Sequence, residues 1–187
     1  MPTPLDFQSL RVPGPPFHRS ILSLLVVLLA TLGGAARAAE QIVINDGSTH
    51  TAGPGEEGSG WLIDNGSTLI LDGMPAAHFS ISDGSHVILS NTVVTSSGSG
   101  LKLEDYSCVP GMGCNSTATV TDSSITGIAG VLIDSGGEVT LSNTEVYGKD
   151  GDDPNFAQIF GTAVVLRGGN LSALEGSSLV GDQHGAI

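Results

Sequence analysis

Residues 130–148, GVLIDSGGEVTLSNTEVYG, alternate apolar and polar positions, break at a glycine pair, alternate again, and reach Ser-Asn before one more apolar residue. A period of two sends one side chain to a buried face and the next to solvent, so the stretch predicts short, half-buried strands joined by tight corners. The pattern recurs. Residues 128–148 align without gaps on 161–181 at an offset of 33, which places Val131 on Val164, Ile133 on Leu166, Gly136 on Gly169, Leu141 on Leu174 and Val146 on Leu179. The segments FSISDGSHVILSNTVV and WLIDNGSTLILDG fit the same template, and Leu101 and Leu103 open a further copy that resumes at ATVTDSSITG.

Five units therefore begin near residues 61, 79, 101, 131 and 164. The two longest spacings each hold a polar, glycine-rich insertion, 105–117 and 149–160. A unit of about 20 residues with three short strands cannot bury its apolar face alone and must stack on its neighbours, as in a solenoid. The expected fold class is all-β, a parallel β-helix. Stacking predicts an aliphatic column of Leu71, Leu89, Val120, Leu141 and Leu174. It predicts left-handed glycines at a first corner, Gly66, Gly84, Gly136 and Gly169, and Asn91, Asp122 and Asn143 at a second. A sandwich or antiparallel barrel also has short alternating strands but does not call for an ungapped internal repeat.

Composition agrees with this picture: 27 glycines, 40% hydrophobic residues and only 4% aromatic ones suit short strands and frequent turns. Residues 1–38 stand apart as a helical signal peptide. Arg11 and Arg19 precede the apolar run Ile21 to Leu32, which is shorter than the ~20 residues that span a bilayer, and Ala36 and Ala38 favour cleavage after Ala38. Three of the six basic residues lie in that segment together with one of the 19 acidic ones, Asp6, so residues 39–187 carry a formal charge of −15. Such a chain lacks the clustered cations that nucleic acid requires. Residues 39–60 are expected as an irregular amino-terminal cap in which Ile42 and Ile44 form a first strand, and 61–187 as the stacked units.

The run ATVTDSSITGIAGVLIDSGGEVTLSNTEVYG, 118–148, resembles the passenger domain of pertactin-like autotransporters. The resemblance covers most of 61–187 and the signal peptide. It implies a right-handed winding, export through the periplasm to the cell surface, outer membrane or medium, and a role in adhesion or virulence towards a host-cell or surface receptor. It also implies a carboxy-terminal outer-membrane translocation barrel. That barrel is absent from this chain, whose few aromatics cannot furnish barrel girdles. The units are therefore expected to be truncated at the carboxy end.

Candidate chemistry is sparse, and no catalytic, cofactor-binding or metal residue is assigned. Cys108 and Cys114, an even pair in an exported chain, predict a disulfide closing a small loop. KDGDD, 149–153, lacks the ligand order of a calcium loop. SDGSH, 82–86, holds Ser, Asp and His next to a corner glycine rather than in a triad arrangement. The sharpest enzymatic alternative is a carbohydrate-active β-helix: Asp64, Glu104 and Asp134 share a column after the first strand, where Glu104 and Asp134 would be one strand spacing apart. Against it, Ser82 and Arg167 occupy that column elsewhere, and Arg167 is placed to pair with Asp134. The expected activity is non-enzymatic, with loops 105–117 and 149–160 as contact surfaces. A truncated product without independent function is the remaining reading.

Overall fold

The chain divides after Ala38 into Met1–Ala38 and Ala39–Ile187. The computed structural model describes residues 40–105, 115–151, 161–182 and 184–186. The expected signal peptide, its cleavage position at Ala38, and Cys108 and Cys114 lie outside the described residues, as do most of the two insertions.

Seventeen strands and no helix occur among the described residues. They form three sheets whose neighbours all run parallel. The first sheet holds β1 (Gln41–Ile44), β3 (Gly60–Ile63), β5 (His78–Ser82), β8 (Ser99–Glu104), β11 (Ala129–Ser135), β14 (Thr162–Leu166) and β17 (His184–Ala186), in that order. The second holds β2 (Thr49–Thr51), β4 (Thr68–Asp72), β6 (His86–Ser90), β9 (Thr117–Thr121), β12 (Gly137–Ser142) and β15 (Gly169–Ala173). The third holds β7 (Val93–Thr95), β10 (Ser124–Gly127), β13 (Glu145–Gly148) and β16 (Ser178–Gly181). Each full unit gives one strand to each sheet, an all-β parallel architecture consistent with a solenoid.

Cross-strand register follows the sequence repeat. Trp61, Phe79, Leu101, Val131 and Val164 are successive partners, and Ile63, Ile81, Leu103 and Ile133 form the adjacent row. Leu71, Leu89, Val120 and Leu141 line up in the second sheet, and Val94, Ile125 and Val146 in the third. These side chains belong to one buried cluster. Burying each aliphatic side chain is worth about 1.5–3 kcal/mol, so the rows are the main favourable term holding the sheets together. A smaller cluster of Ala129, Leu132 and Val165 is buried on the opposite face of the first sheet.

Backbone demands explain the corner residues. Asn65 and Gly66 (φ 56° and 70°) and Asp83 and Gly84 (φ 49° and 74°) are paired left-handed residues. Ser67 N donates to Asp64 O and Ser85 N to Ser82 O, both at 3.1 Å, closing four-residue turns of the type that two left-handed positions favour. The second corner needs one such residue, met by Asn91, Asp122 and Asn143 with φ of 50°, 50° and 46°. A third constraint is steric. A Cβ on Gly148 would lie 2.1 Å from the carbonyl carbon of Thr162, so only glycine lets the third sheet approach the start of the next unit.

Three expectations are refined or corrected. The first strand expected at Ile42 and Ile44 is present and registers with Trp61 and Ile63, and Thr49–Thr51 joins the second sheet, so within 39–60 the chain is more regular than expected and carries two paired strands. Leu174 is not in the aliphatic column. Leu141 pairs with Ala173, and Leu174 is 53% exposed. The last unit has one residue fewer at its first corner, so Gly169 pairs with Gly137 instead of Gly136, and one residue more at its second, which restores Val146 opposite Leu179. The two changes compensate, and an ungapped alignment conceals both. The third correction concerns the acidic column and is taken up with the site.

Candidate functional site

Glu104 and Asp134 are not cross-strand partners. Between Ile133 and Ser135 the register shifts, which sets Glu104 opposite Ser135 and leaves Asp134 at the irregularity. The acids of this column instead have partners within the protein. Asp64 Oδ1 accepts from Ser82 Oγ at 3.1 Å and from Asn65 N at 2.8 Å. Glu104 pairs closely with Lys102. Asp134 Oδ1 lies 3.8 Å from Arg167 Nη1, the pairing expected from sequence. The column thus stabilises the first corner of successive units.

The other sequence candidates disperse in the same way. Ser82 faces Asp64, while His86 Nδ1 is 2.9 Å from Thr117 Oγ1, so two members of SDGSH engage different neighbouring strands. Of KDGDD, residues 149–151 are described. Lys149 N donates to Gly127 O at 2.8 Å and Asp150 N to Asp182 Oδ2 at 2.9 Å. Among the described residues no group of three or more His, Cys, Asp or Glu is placed to hold a metal ion. His50, near Glu56 (3.1 Å) and tilted on Trp61 with ring centroids 5.6 Å apart, packs the first unit's apolar end.

Asp105 is 5% exposed and closes the neck of the 106–114 segment. Its Oδ1 accepts from Ser116 Oγ at 2.5 Å, and its Oδ2 accepts from Ser116 N at 2.7 Å. A buried carboxylate satisfied by two hydrogen bonds holds Asp105 and Ser116, the described residues either side of 106–114, together. The sequence reading set the boundary of the insertion at this residue without assigning it a role.

At the second corner the structure assembles a feature that sequence reading used only for its turn geometry. Asn91 Nδ2 donates to Asp72 Oδ1 at 2.9 Å, Ser90 Oγ donates to the same oxygen at 2.8 Å, and Asn143 Nδ2 donates to Asp122 Oδ1 at 2.5 Å. These two donors, Asn91 first and Ser90 second, hold the Asp72 carboxyl below its ordinary range because they favour the charged form. Behind them runs a row of buried hydroxyls. Thr92 Oγ1, Ser123 Oγ and Thr144 Oγ1 donate to the carbonyls of Ser90, Thr121 and Ser142 at 2.9, 2.7 and 2.8 Å, and Ser123 Oγ also accepts from Thr92 N at 3.0 Å. The recurring Ser/Thr directly after the corner residue, in SNT, TDS and SNT, was the available signal.

This corner borders an open groove of about 470 Å³ running across the strands of the third sheet, with Asn91, Asp122 and Asn143 on one side and Val93, Ser124 and Glu145 among its other lining residues. Towards the other end of the strands in the same sheet the Tyr147 hydroxyl donates to Asp182 in a short hydrogen bond. That bond, supported by the Asp150 N–H, keeps the Asp182 carboxyl low and raises Tyr147. A second depression, about 320 Å³, is lined by His78, Ser80, Ser96 and Lys102 among others. Comparison with known proteins supplies no name for either feature: no family model, no curated protein and no solved structure matches the chain.

Proposed function

We propose that the chain is an exported display module, a right-handed parallel β-helix that presents loops at its corners and has no enzymatic activity of its own. The observation that carries this reading is register. Phe79, Leu101, Val131 and Val164 remain direct partners although 30 and 33 residues separate the later ones, so the described strands on either side of 106–114 and 152–160 keep the rows in register. A rigid framework that absorbs long insertions at its corners is suited to presenting variable surface segments. Right-handed winding is the rule for parallel crossover connections. The charge of −15 on 39–187 opposes edge-to-edge association of the open strands.

The resemblance to pertactin-like passengers supplies the route: a signal peptide over 1–38 cleaved after Ala38, a translocation barrel as partner in the outer membrane, and a host-cell or surface receptor for the loops. The test is to express the chain in a Gram-negative host, fused to such a barrel, with an epitope inserted in 106–114 or in 152–160. The reading expects the exported product to begin at Ala39, antibody to label intact cells at both insertions, and the melting curve to match that of the parent. Retention with an uncleaved amino terminus, or loss of cooperative melting on loop insertion, overturns it.

A further inference from the structure

We infer that the groove along the second corner is a binding site for a neutral oligosaccharide laid across the strands of the third sheet. It deepens the display reading by naming a ligand class and rests on that reading only for its setting.

The first ground is shape. The groove spans about 470 Å³ and borders β7, β10, β13 and β16, successive neighbours in one sheet, so its length is three strand spacings, or about 14 Å. An elongated ligand fits this better than a compact one.

The second ground is the chemistry of the lining. Asn91, Asp122 and Asn143 are exposed along one side, and the register row Val93, Ser124, Glu145 passes through the groove. Carboxylates accept hydrogen bonds from sugar hydroxyls, and carboxamides and serine hydroxyls both donate and accept. Each amide uses one of its two N–H donors in the corner ladder, to Asp72 or Asp122, and keeps the other. Val93, 54% exposed, gives an apolar surface for the C–H face of a sugar ring beside these polar groups. Binding sites commonly combine an apolar surface with a few placed polar groups. Asp122 and Glu145, within a domain of charge −15, disfavour uronates and sulfated sugars, which selects an uncharged saccharide.

The third ground is rigidity. The ladder bonds, left-handed backbones and buried Thr92, Ser123 and Thr144 hold these side chains before any ligand arrives, which lowers the ordering cost of binding. Turn geometry alone does not require side chains here. Gly73 and Gly176 meet the same left-handed demand in the flanking units with φ of 68° and 82°, Gly176 where the groove ends, while Asn91, Asp122 and Asn143 supply the corner side chains of the three units between them.

That equivalence also provides the test. Asp122→Gly and Asn143→Gly remove the polar atoms and keep a residue that accepts the backbone conformation, while Glu145→Gln removes charge alone. Purified full-length protein and the variants are titrated against oligomers of glucose, galactose and N-acetylglucosamine, with oligogalacturonate and a heparin fragment as anionic comparators. The expected result is retention of at least one neutral oligomer, no retention of the anionic ones, and binding weakened about tenfold by each glycine variant with unchanged melting curves, as losing a hydrogen bond or two to the sugar would produce. Failure to hold any neutral oligomer, preference for the anionic probes, or undiminished binding by the Asp122→Gly/Asn143→Gly double variant overturns the assignment. A protein that is displayed on cells yet holds no saccharide removes the ligand and leaves the display reading standing. Saccharide binding by a protein that is never exported does the reverse.

Discussion

The unit from Ala129 to Gly148 and the unit from Thr162 to Gly181 share a template at an offset of 33 residues and occupy different surroundings. In the earlier unit Val131, Ile133, Val139, Leu141 and Val146 are all fully buried. In the later one Val164 is buried, but Leu166 and Leu174 are 40% and 53% exposed and Leu171 and Leu179 are partly so. The strands explain the contrast. In the second sheet β12 lies between β9 and β15, and in the third β13 lies between β10 and β16, whereas β15 and β16 are the last described strands on their side. For Leu171 and Leu179 burial is set by position in the stack, whereas Leu174 is exposed because the register change places Ala173 opposite Leu141.

Truncating the two leucines that the 33-residue offset aligns, one in the aliphatic column and one outside it, gives the largest expected contrast. Leu141→Ala removes a side chain packed on both sides and should cost about 2–5 kcal/mol. Leu174→Ala should change stability by no more than about 0.5 kcal/mol. Urea unfolding of the two variants, compared at equal m-value, checks both. Equal costs would mean that the two units contribute alike and that the exposure difference carries no energetic weight.

Gly148 sharpens the same comparison at the junction between the units. Adding a Cβ there forces backbone apart, so Gly148→Ala should destabilise by about 1–3 kcal/mol. Gly66→Ala meets open space and only the left-handed penalty, about 1 kcal/mol. Thermal melts that rank the two in the opposite order would remove close approach as the reason for glycine at 148.

A smaller effect is expected for the buried hydroxyl row. Thr144→Ala loses the bond to Ser142 O and should cost about 1 kcal/mol. Its counterpart Ser177 is partly exposed, and its Oγ accepts a long hydrogen bond from Thr144 N at 3.4 Å, so conversion to Ala should cost less.

Least costly to stability is the pH response, because the groups concerned are exposed. Asp72 and Asp182 have folded-state pKa values below the ordinary carboxylate value, so their contribution is fully present above the unfolded pKa and is lost as pH falls through the depressed folded one. Tyr147 is raised, so its contribution is present below the ordinary tyrosine value and is lost as pH rises through the higher folded value. Carboxyl-carbon NMR titration of Asn91→Gly should return Asp72 towards its ordinary midpoint and leave Asp182 where it is. Movement of both, or of neither, would break the assignment of each shift to its own local donors.

Much of this architecture was legible before any coordinates. All five unit starts, 61, 79, 101, 131 and 164, coincide with register positions, and every corner residue expected to be left-handed has a positive φ. Those successes share a cause: alternation and left-handed preference are properties of a few consecutive residues. The misplacement of Leu174 has the opposite cause, since a residue lost at one corner and regained at the next leaves the overall offset intact. Glu104 and Asp134 were paired on spacing alone, and a register shift at Asp134 that spacing cannot reveal separated them. The groove was hidden for a related reason. Asn91, Asp122 and Asn143 announced a turn, but their side chains become one lining only when their strands lie side by side.

The amino-acid sequence by itself determined which residues alternate, where glycine or Asn/Asp must turn the chain, where five of the stacked units begin and how acidic their surface is. All of these follow from local backbone sterics and from composition. The tertiary structure decided which apolar residues are core, which carboxylates are partnered and which polar side chains share a groove. Each of those depends on what the neighbouring strand places about 4.8 Å away, and that neighbour lies some 20 to 30 residues distant along the chain.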